Sequence, residues 1–276
     1  MHNKIGRKAA IATVVVCSLA IAFFEFFTIT FYPDEVLSDI IKMTITRGLG
    51  SVMFTVLMLY LGYRVNYFGK FGKALLFSLP CFAVVINNLP IIAICTGSAY
   101  LTSPAWYMVW FALECVFIGV FEETAFRGAL FLILLEKRRS STKQIFWVTV
   151  ASSAIFGGIH LLNLLAGGGI GPTLLQVGYS FLIGGMCAVV LLRTRNIWIC
   201  AALHAIYDFC GFLMPTLGTG DWWDAPTVII TVILAVATAV YIVVALLKTT
   251  PEQVEAIFSP DKIEKLDNKE KIKCTE

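Results

Sequence analysis

The sequence predicts an all-α, polytopic membrane protein with about eight transmembrane helices and both termini in the cytoplasm. Three observations predict it. First, 58% of the 276 residues are hydrophobic and 14% are charged, with a mean hydropathy of +0.83; a soluble chain of this length is about half apolar and about a quarter charged. Second, the apolar residues come in blocks of roughly 16 to 23 with few charges, enough for a helix to cross a hydrocarbon core about 30 Å thick. Third, no alternating barrel pattern is present, and a span that is not a closed barrel must satisfy its own backbone hydrogen bonds as a helix.

In chain order the expected spans are 9–31, 45–63, 74–95, 102–135, 144–162, 172–192, 197–214 and 225–247. The first is too long for a signal-peptide core and lacks a small-residue cleavage site, so it is read as retained. Basic residues collect before span one (Lys4, Arg7, Lys8), after span two (Arg64, Lys70, Lys73), after span four (Lys137, Arg138, Arg139, Lys143), after span six (Arg193, Arg195) and after span eight. The opposite connections hold only Lys42 and Arg47, beside Asp34, Glu35, Asp39, Asp221 and Asp224. By the positive-inside rule both termini are cytoplasmic, which needs an even number of spans. Span four is long for a perpendicular helix, so tilt or an interfacial last turn has to absorb the excess.

Residues 1–250 read as a single transmembrane domain and 251–276 as a polar cytoplasmic tail, solvated or lying on the surface. The tail does not end in a prenylation box, because Cys274 stands third from the end. Seven of the eight cysteines lie in or beside spans with no C-x-x-C, so they read as small buried hydrophobes. The net charge of +3 is an orientation signal, and no nucleic-acid partner is implied.

In lipid the informative residues are the ionisable ones, since each costs about 3 kcal/mol at the centre of a span and normally has a partner or a function. The chain places Glu25, Glu114, Glu122, Glu123, Arg127, His160, His204 and Asp208 at membrane depth. Glu123 and Arg127 are four apart, so they stack on one helix face and can neutralise each other, while Glu122 points about 100° away. Phe156 and His160 are four apart on span five, as are His204 and Asp208 on span seven. Counted from the cytoplasmic helix ends, Glu122, His160, His204 and Asp208 overlap at depths of roughly 12 to 24 Å. Glu25, Glu114, Asn87 and Asn88 read as helix-packing or cavity-lining groups. Gly157, Gly158, Gly184 and Gly185 read as sites of close helix approach, and Gly167, Gly168 and Gly169 as an outer loop.

Glu122-Glu123-x-x-x-Arg127, Phe156-x-x-x-His160 and His204-x-x-x-Asp208, in that order on three spans, resemble the motifs of the CPBP family. This group, also called Abi, contains CAAX proteases and bacteriocin-processing or bacteriocin-immunity proteins. The resemblance covers residues 102–214. It implies intramembrane proteolysis with Glu122, His160, His204 and Asp208 as catalytic residues and Glu123, Arg127 and Phe156 in support. Glu122 would take a proton from water, His160 would hold that water, and His204 with Asp208 would stabilise the oxyanion. The family pattern has Asn or Asp at the last motif position; an ionised Asp cannot donate a hydrogen bond, so its oxyanion role is weaker than that of Asn.

Two chemistries stay open: glutamate-based hydrolysis with no cofactor, or a zinc site made from His160, His204, Glu122 and Asp208, although no His-Glu-x-x-His helix is present. The expected partners are a peptide or membrane-protein substrate and the lipid bilayer, here a bacterial plasma membrane. A non-catalytic bacteriocin-immunity or scaffold protein that binds a toxin or sensor is the alternative. A transporter is disfavoured by the lack of an inverted repeat and of paired broken helices.

Overall fold

The computed structural model describes residues 4–25 and 29–259, and these are predominantly helical. The side chain of Glu25 and the tail lysines from Lys262 onward lie outside the described residues, as does the part of the first expected span at 26–28. The helices are α1 (Lys4–Glu25), α2 (Glu35–Leu61), α3 (Phe71–Ile86), α4 (Ile91–Thr96), α5 (Tyr107–Glu123), α6 (Leu132–Glu136), α7 (Thr142–Ile159), α8 (Ile170–Thr194), α9 (Ile197–Leu217), α10 (Ala225–Leu247) and α11 (Pro251–Phe258). A π-helical segment, Thr124–Phe131, joins α5 to α6, and a 3-10 turn, His160–Leu164, follows α7. Among the described residues, Glu35–Leu61, Thr142–Leu164, Ile170–Thr194, Ile197–Leu217 and Ala225–Leu247 are long and apolar enough to cross a membrane. The protein is therefore a multi-pass helical membrane protein.

Two expected spans change, each for a local reason. The 74–95 span is broken: α3 stops at Ile86, four residues form a turn, and α4 follows Pro90. Proline disfavours helical backbone in the residue before it, so a helix does not run through Leu89. Helix α4 then ends at Gly97, whose φ of 74° is open to glycine without a Cβ clash. The 102–135 span begins only at Tyr107, because β1 (Ala99–Leu101) pairs antiparallel with β2 (Gly218–Gly220). That ribbon is a small exception to the all-α expectation.

By their contacts the described residues form two units, one drawn from 4–61, 79–125 and 201–238, the other from 62–78, 126–200 and 239–259. In the first unit α2 packs along α5. Ser51 Oγ donates to the Phe117 carbonyl at 2.8 Å, tying the two helices together. Leu37, Ile40, Tyr107, Phe111, Cys115, Leu213, Met214 and Leu217 are among the residues of its apolar cluster. Asn87 Nδ2 donates to Thr231 Oγ1 at 2.8 Å, the helix-packing role expected for it.

In the second unit α7 packs on α8, and a Cβ on Gly157 would lie 2.7 Å from the Val177 carbonyl, so only glycine permits this approach. Gly184 is likewise close-packed, whereas a Cβ on Gly158 would meet nothing within 4 Å. Asn196 is fully buried and its Oδ1 accepts from the Trp198 and Ile199 amides, capping α9.

The start of the polar tail is an amphipathic helix docked by one face, with Glu252 exposed on the other. Pro251–Phe258 forms α11 behind a Thr250–Gln253 capping box, with Val254, Ala256 and Ile257 buried. The Arg64 amide donates to the Ile257 carbonyl, Arg139 Nε lies 2.7 Å from Glu255 Oε2, and the Tyr63 and Phe258 rings meet edge-on at 5.3 Å. The charges of this segment hid an apolar stripe at 254 and 257.

The described cysteines are all free thiols; Cys81, Cys115, Cys187, Cys200 and Cys210 are buried, as small hydrophobes would be.

Candidate active site

The last turn of α5 and the middle of α9 carry the ionisable centre of the first unit. A single glycine sets their separation. A Cβ on Gly119 would lie 2.5 Å from the Ala201 carbonyl and 2.9 Å from the Ala205 amide, so the α5 backbone sits directly on the α9 backbone there. Glu123 is one turn beyond Gly119, and His204 lies between Ala201 and Ala205, so this contact aligns the two side chains.

His204 is bracketed by carboxylates. Its Nδ1 is 2.8 Å from Glu123 Oε1, its Nε2 is 3.4 Å from Glu122 Oε2, and the same Nε2 is 3.6 Å from Asp208 Oδ2, one turn along α9. Burial differs among these groups. Glu123 is fully buried, His204 and Asp208 are nearly so, and the Glu122 side chain keeps 18% of its surface. Glu122 is therefore the most accessible carboxylate of the set. The 100° between neighbouring helix positions lets the two glutamates reach opposite nitrogens of one ring.

Sequence reasoning paired Glu123 with Arg127 and left Glu122 apart. It had no signal for contacts to His204, which is 81 residues from Glu123. The local backbone also departs from the α-helix assumed there: Thr124 Oγ1 turns back onto the Val120 carbonyl at 2.7 Å, and the π-helical segment starts at that residue. In a π-helix the backbone bond spans i to i+5, and such segments recur at functional sites.

Arg127, Phe156 and His160 belong to the second unit. The Arg127 guanidinium carbon stands 4.0 Å from the centre of the Phe156 ring, a cation–π contact at a buried arginine. Phe156 also meets Phe126 at 4.8 Å and His160 at 5.5 Å between ring centres. A Cβ on Gly184 would press within 3.1 Å of both Arg127 and Phe156, so the glycine makes room for the pair. His160 is half-buried and begins the 3-10 turn at the end of α7. Within the first unit Glu122, Glu123, His204 and Asp208 gather, and within the second Arg127, Phe156 and His160 do.

Glu114, two turns before Glu122 on α5, is within electrostatic reach of Arg47 and Asp208. Arg47 in turn lies 5.6 Å from the centre of the Phe121 ring. Among the described residues no three His, Cys, Asp or Glu side chains are gathered as ligands for a metal ion. In the first unit His204 offers only Nε2 to such a site, its Nδ1 being taken by Glu123. That single nitrogen with the Glu122 and Asp208 carboxylates is the donor set on this side of the ring, and no step below passes through a metal.

The first unit of this helical membrane protein thus buries an imidazole among three carboxylates between two helices. Residues 104–210 match the family described as type II CAAX prenyl endopeptidase, Rce1-like. The matched residues include all three motifs, so the comparison is to the same family that the motifs resemble. CAAX prenyl protease 2 of Saccharomyces cerevisiae is 27% identical over 118 residues, which cover 39% of this chain. The aligned region spans 38% of that relative's length. No solved structure matches the chain.

Proposed function

We propose that the protein is an intramembrane endopeptidase that hydrolyses a peptide bond with water activated by Glu122. The observation that carries this reading is the Glu122 carboxylate 3.4 Å from His204 Nε2, inside the segment that matches CAAX prenyl endopeptidases. Glu122 takes a proton from water, and the hydroxide adds to the scissile carbonyl. His204, held at Nδ1 by Glu123 and carrying a second hydrogen on Nε2, donates from Nε2 to the negative charge that develops on the carbonyl oxygen. The proton then passes from Glu122 to the leaving nitrogen, so water ends divided between a new carboxylate and a new amine. For His160 the reading stays with its motif, a contact to the attacking water.

The substrate is a peptide or protein delivered through the membrane. The test uses the purified protein in lipid vesicles with synthetic peptides ending in Cys-aliphatic-aliphatic-X, with and without a farnesyl thioether. Cleavage in 18O-labelled water is expected to place one label in the new carboxyl group. A parent protein that leaves both peptides intact, yet still protects cells from a peptide toxin, would point instead to the immunity role.

Two further outcomes follow from the geometry. Treatment with a strong zinc chelator is expected to leave the cleavage rate within about twofold, because the carboxylate and imidazole act directly; loss of activity restored by added zinc would refute this. Asp208→Asn is expected to retain activity within about tenfold. Asp208 Oδ2 is buried with no hydrogen-bond partner and stands 3.6 Å from Nε2, so an amide of the same shape removes an unsatisfied charge while adding a donor. A much larger loss, measured by initial rates, would mean that the negative charge itself is required.

A further inference from the structure

Glu123 is assigned above only a supporting place on its helix, yet it makes the shortest contact of the group, 2.8 Å from Glu123 Oε1 to His204 Nδ1. Both partners are sealed from solvent, with Glu123 at 0% and His204 at 5% exposure. A carboxylate has acceptors and no donor, so a ring nitrogen held this close to it carries the hydrogen. A bare Nδ1 would set two lone pairs against each other in a site of low dielectric, where an unmatched polar contact is most costly. The neutral imidazole has one N–H, and the bond made at one nitrogen decides which it is. A buried carboxylate behind an imidazole is a known means of fixing both tautomer and ring orientation.

We infer that Glu123 is a positioning residue which keeps a hydrogen on His204 Nδ1 and turns Nε2 toward Glu122 and Asp208, so that a second hydrogen taken up at Nε2 points at those carboxylates and at the developing oxyanion. The two adjacent glutamates therefore divide the work. Glu123 grips the ring from behind, and Glu122 faces its working nitrogen 3.4 Å away. The Gly119 contact with Ala201 and Ala205 keeps the grip in register by fixing the α5 to α9 distance. A glutamine at 123 still offers an oxygen to Nδ1–H, whereas a leucine fills the space and offers nothing. The role assigned to Nε2 rests on the peptidase reading, but the position of the hydrogen does not.

Nitrogen-15 spectra of histidine-labelled protein in detergent micelles read the tautomer directly. With three histidines in the chain, His160→Ala and His2→Ala variants assign the His204 signals by elimination. The parent is expected to show a protonated Nδ1. Glu123→Gln is expected to keep that pattern, and Glu123→Leu to lose it in favour of a mixture or of the Nε2–H form. In the cleavage assay Glu123→Leu should lower kcat on the order of 10²-fold with little change in KM, and Glu123→Gln should recover a substantial part of it. A bare Nδ1 in the parent, or an unchanged ring pattern in Glu123→Leu, overturns the inference. Should Glu123→Leu fail to fold, the parent spectrum alone decides. The expected spectra from a protein that cleaves no peptide would uphold the inference and sink the peptidase reading.

Discussion

Glu122→Gln is expected to abolish peptide cleavage, lowering kcat by about 10²- to 10⁴-fold, the usual contribution of a positioned general base. The variant keeps the volume and one oxygen of the side chain but cannot accept a proton at any accessible pH. Because Glu122 keeps part of its surface while Glu123 is fully buried, the substitution should leave packing, helical content and thermal unfolding close to those of the parent. The informative measurement is single-turnover cleavage beside a thermal melt. Parent-like cleavage by Glu122→Gln would remove water activation at this carboxylate from the mechanism. Loss of cleavage with a collapsed melt would show that the residue is structural. For comparison, removing one oxyanion contact costs about 10²- to 10³-fold, so Glu122→Gln should be at least as severe as His204→Ala.

The second large effect is expected at Gly119, which does no chemistry. In Gly119→Ala the new methyl would sit 2.5 Å from the Ala201 carbonyl and 2.9 Å from the Ala205 amide, both of them backbone atoms that cannot rotate away. Two terms oppose each other. Alanine improves helix propensity by up to about 1 kcal/mol, whereas overpacking costs about 1–3 kcal/mol. With backbone on the other side of the contact the clash wins, and α5 moves off α9. The displacement falls between Glu123 and His204, where a shift of about 1 Å costs on the order of 10²-fold in rate. Gly158→Ala is the control, since its Cβ meets nothing within 4 Å and only the propensity gain remains. Melting temperatures and cleavage rates of the two variants should therefore move in opposite directions from each other, or at least diverge clearly. Equal behaviour would show that the α5 to α9 contact does not set the site.

What the sequence made legible follows from which forces are local. Hydropathy and span length marked α2, α7, α8, α9 and α10 because a helix in lipid satisfies its own backbone and needs apolar side chains all round. The ionisable residues stood out because the bilayer makes them expensive, and four of them, Glu122, Glu123, His204 and Asp208, do gather. Their partners were not legible. Nothing within one helix says that Glu123 reaches Nδ1 of a histidine 81 residues away while Glu122 reaches Nε2. The spacing of Glu123 and Arg127 was read on an α-helical wheel, whereas the backbone turns π-helical at Thr124, a change that nothing in the spacing signals. Gly119 escaped notice because it stands alone in an apolar run, unlike the paired glycines at 157 and 158 or 184 and 185. The break at Pro90 was readable from proline alone and was masked by the apolar residues on both sides of it.

The docking of α11 has a practical side. Its buried Val254, Ala256 and Ile257, the Arg139–Glu255 ion pair and the Arg64 amide bond make it a structural brace for the connections around it. Shortening the chain to the last long helix would strip that brace and bare a greasy strip to water, inviting aggregation during purification. Affinity handles and fluorescent reporters should therefore leave Pro251–Phe258 uninterrupted.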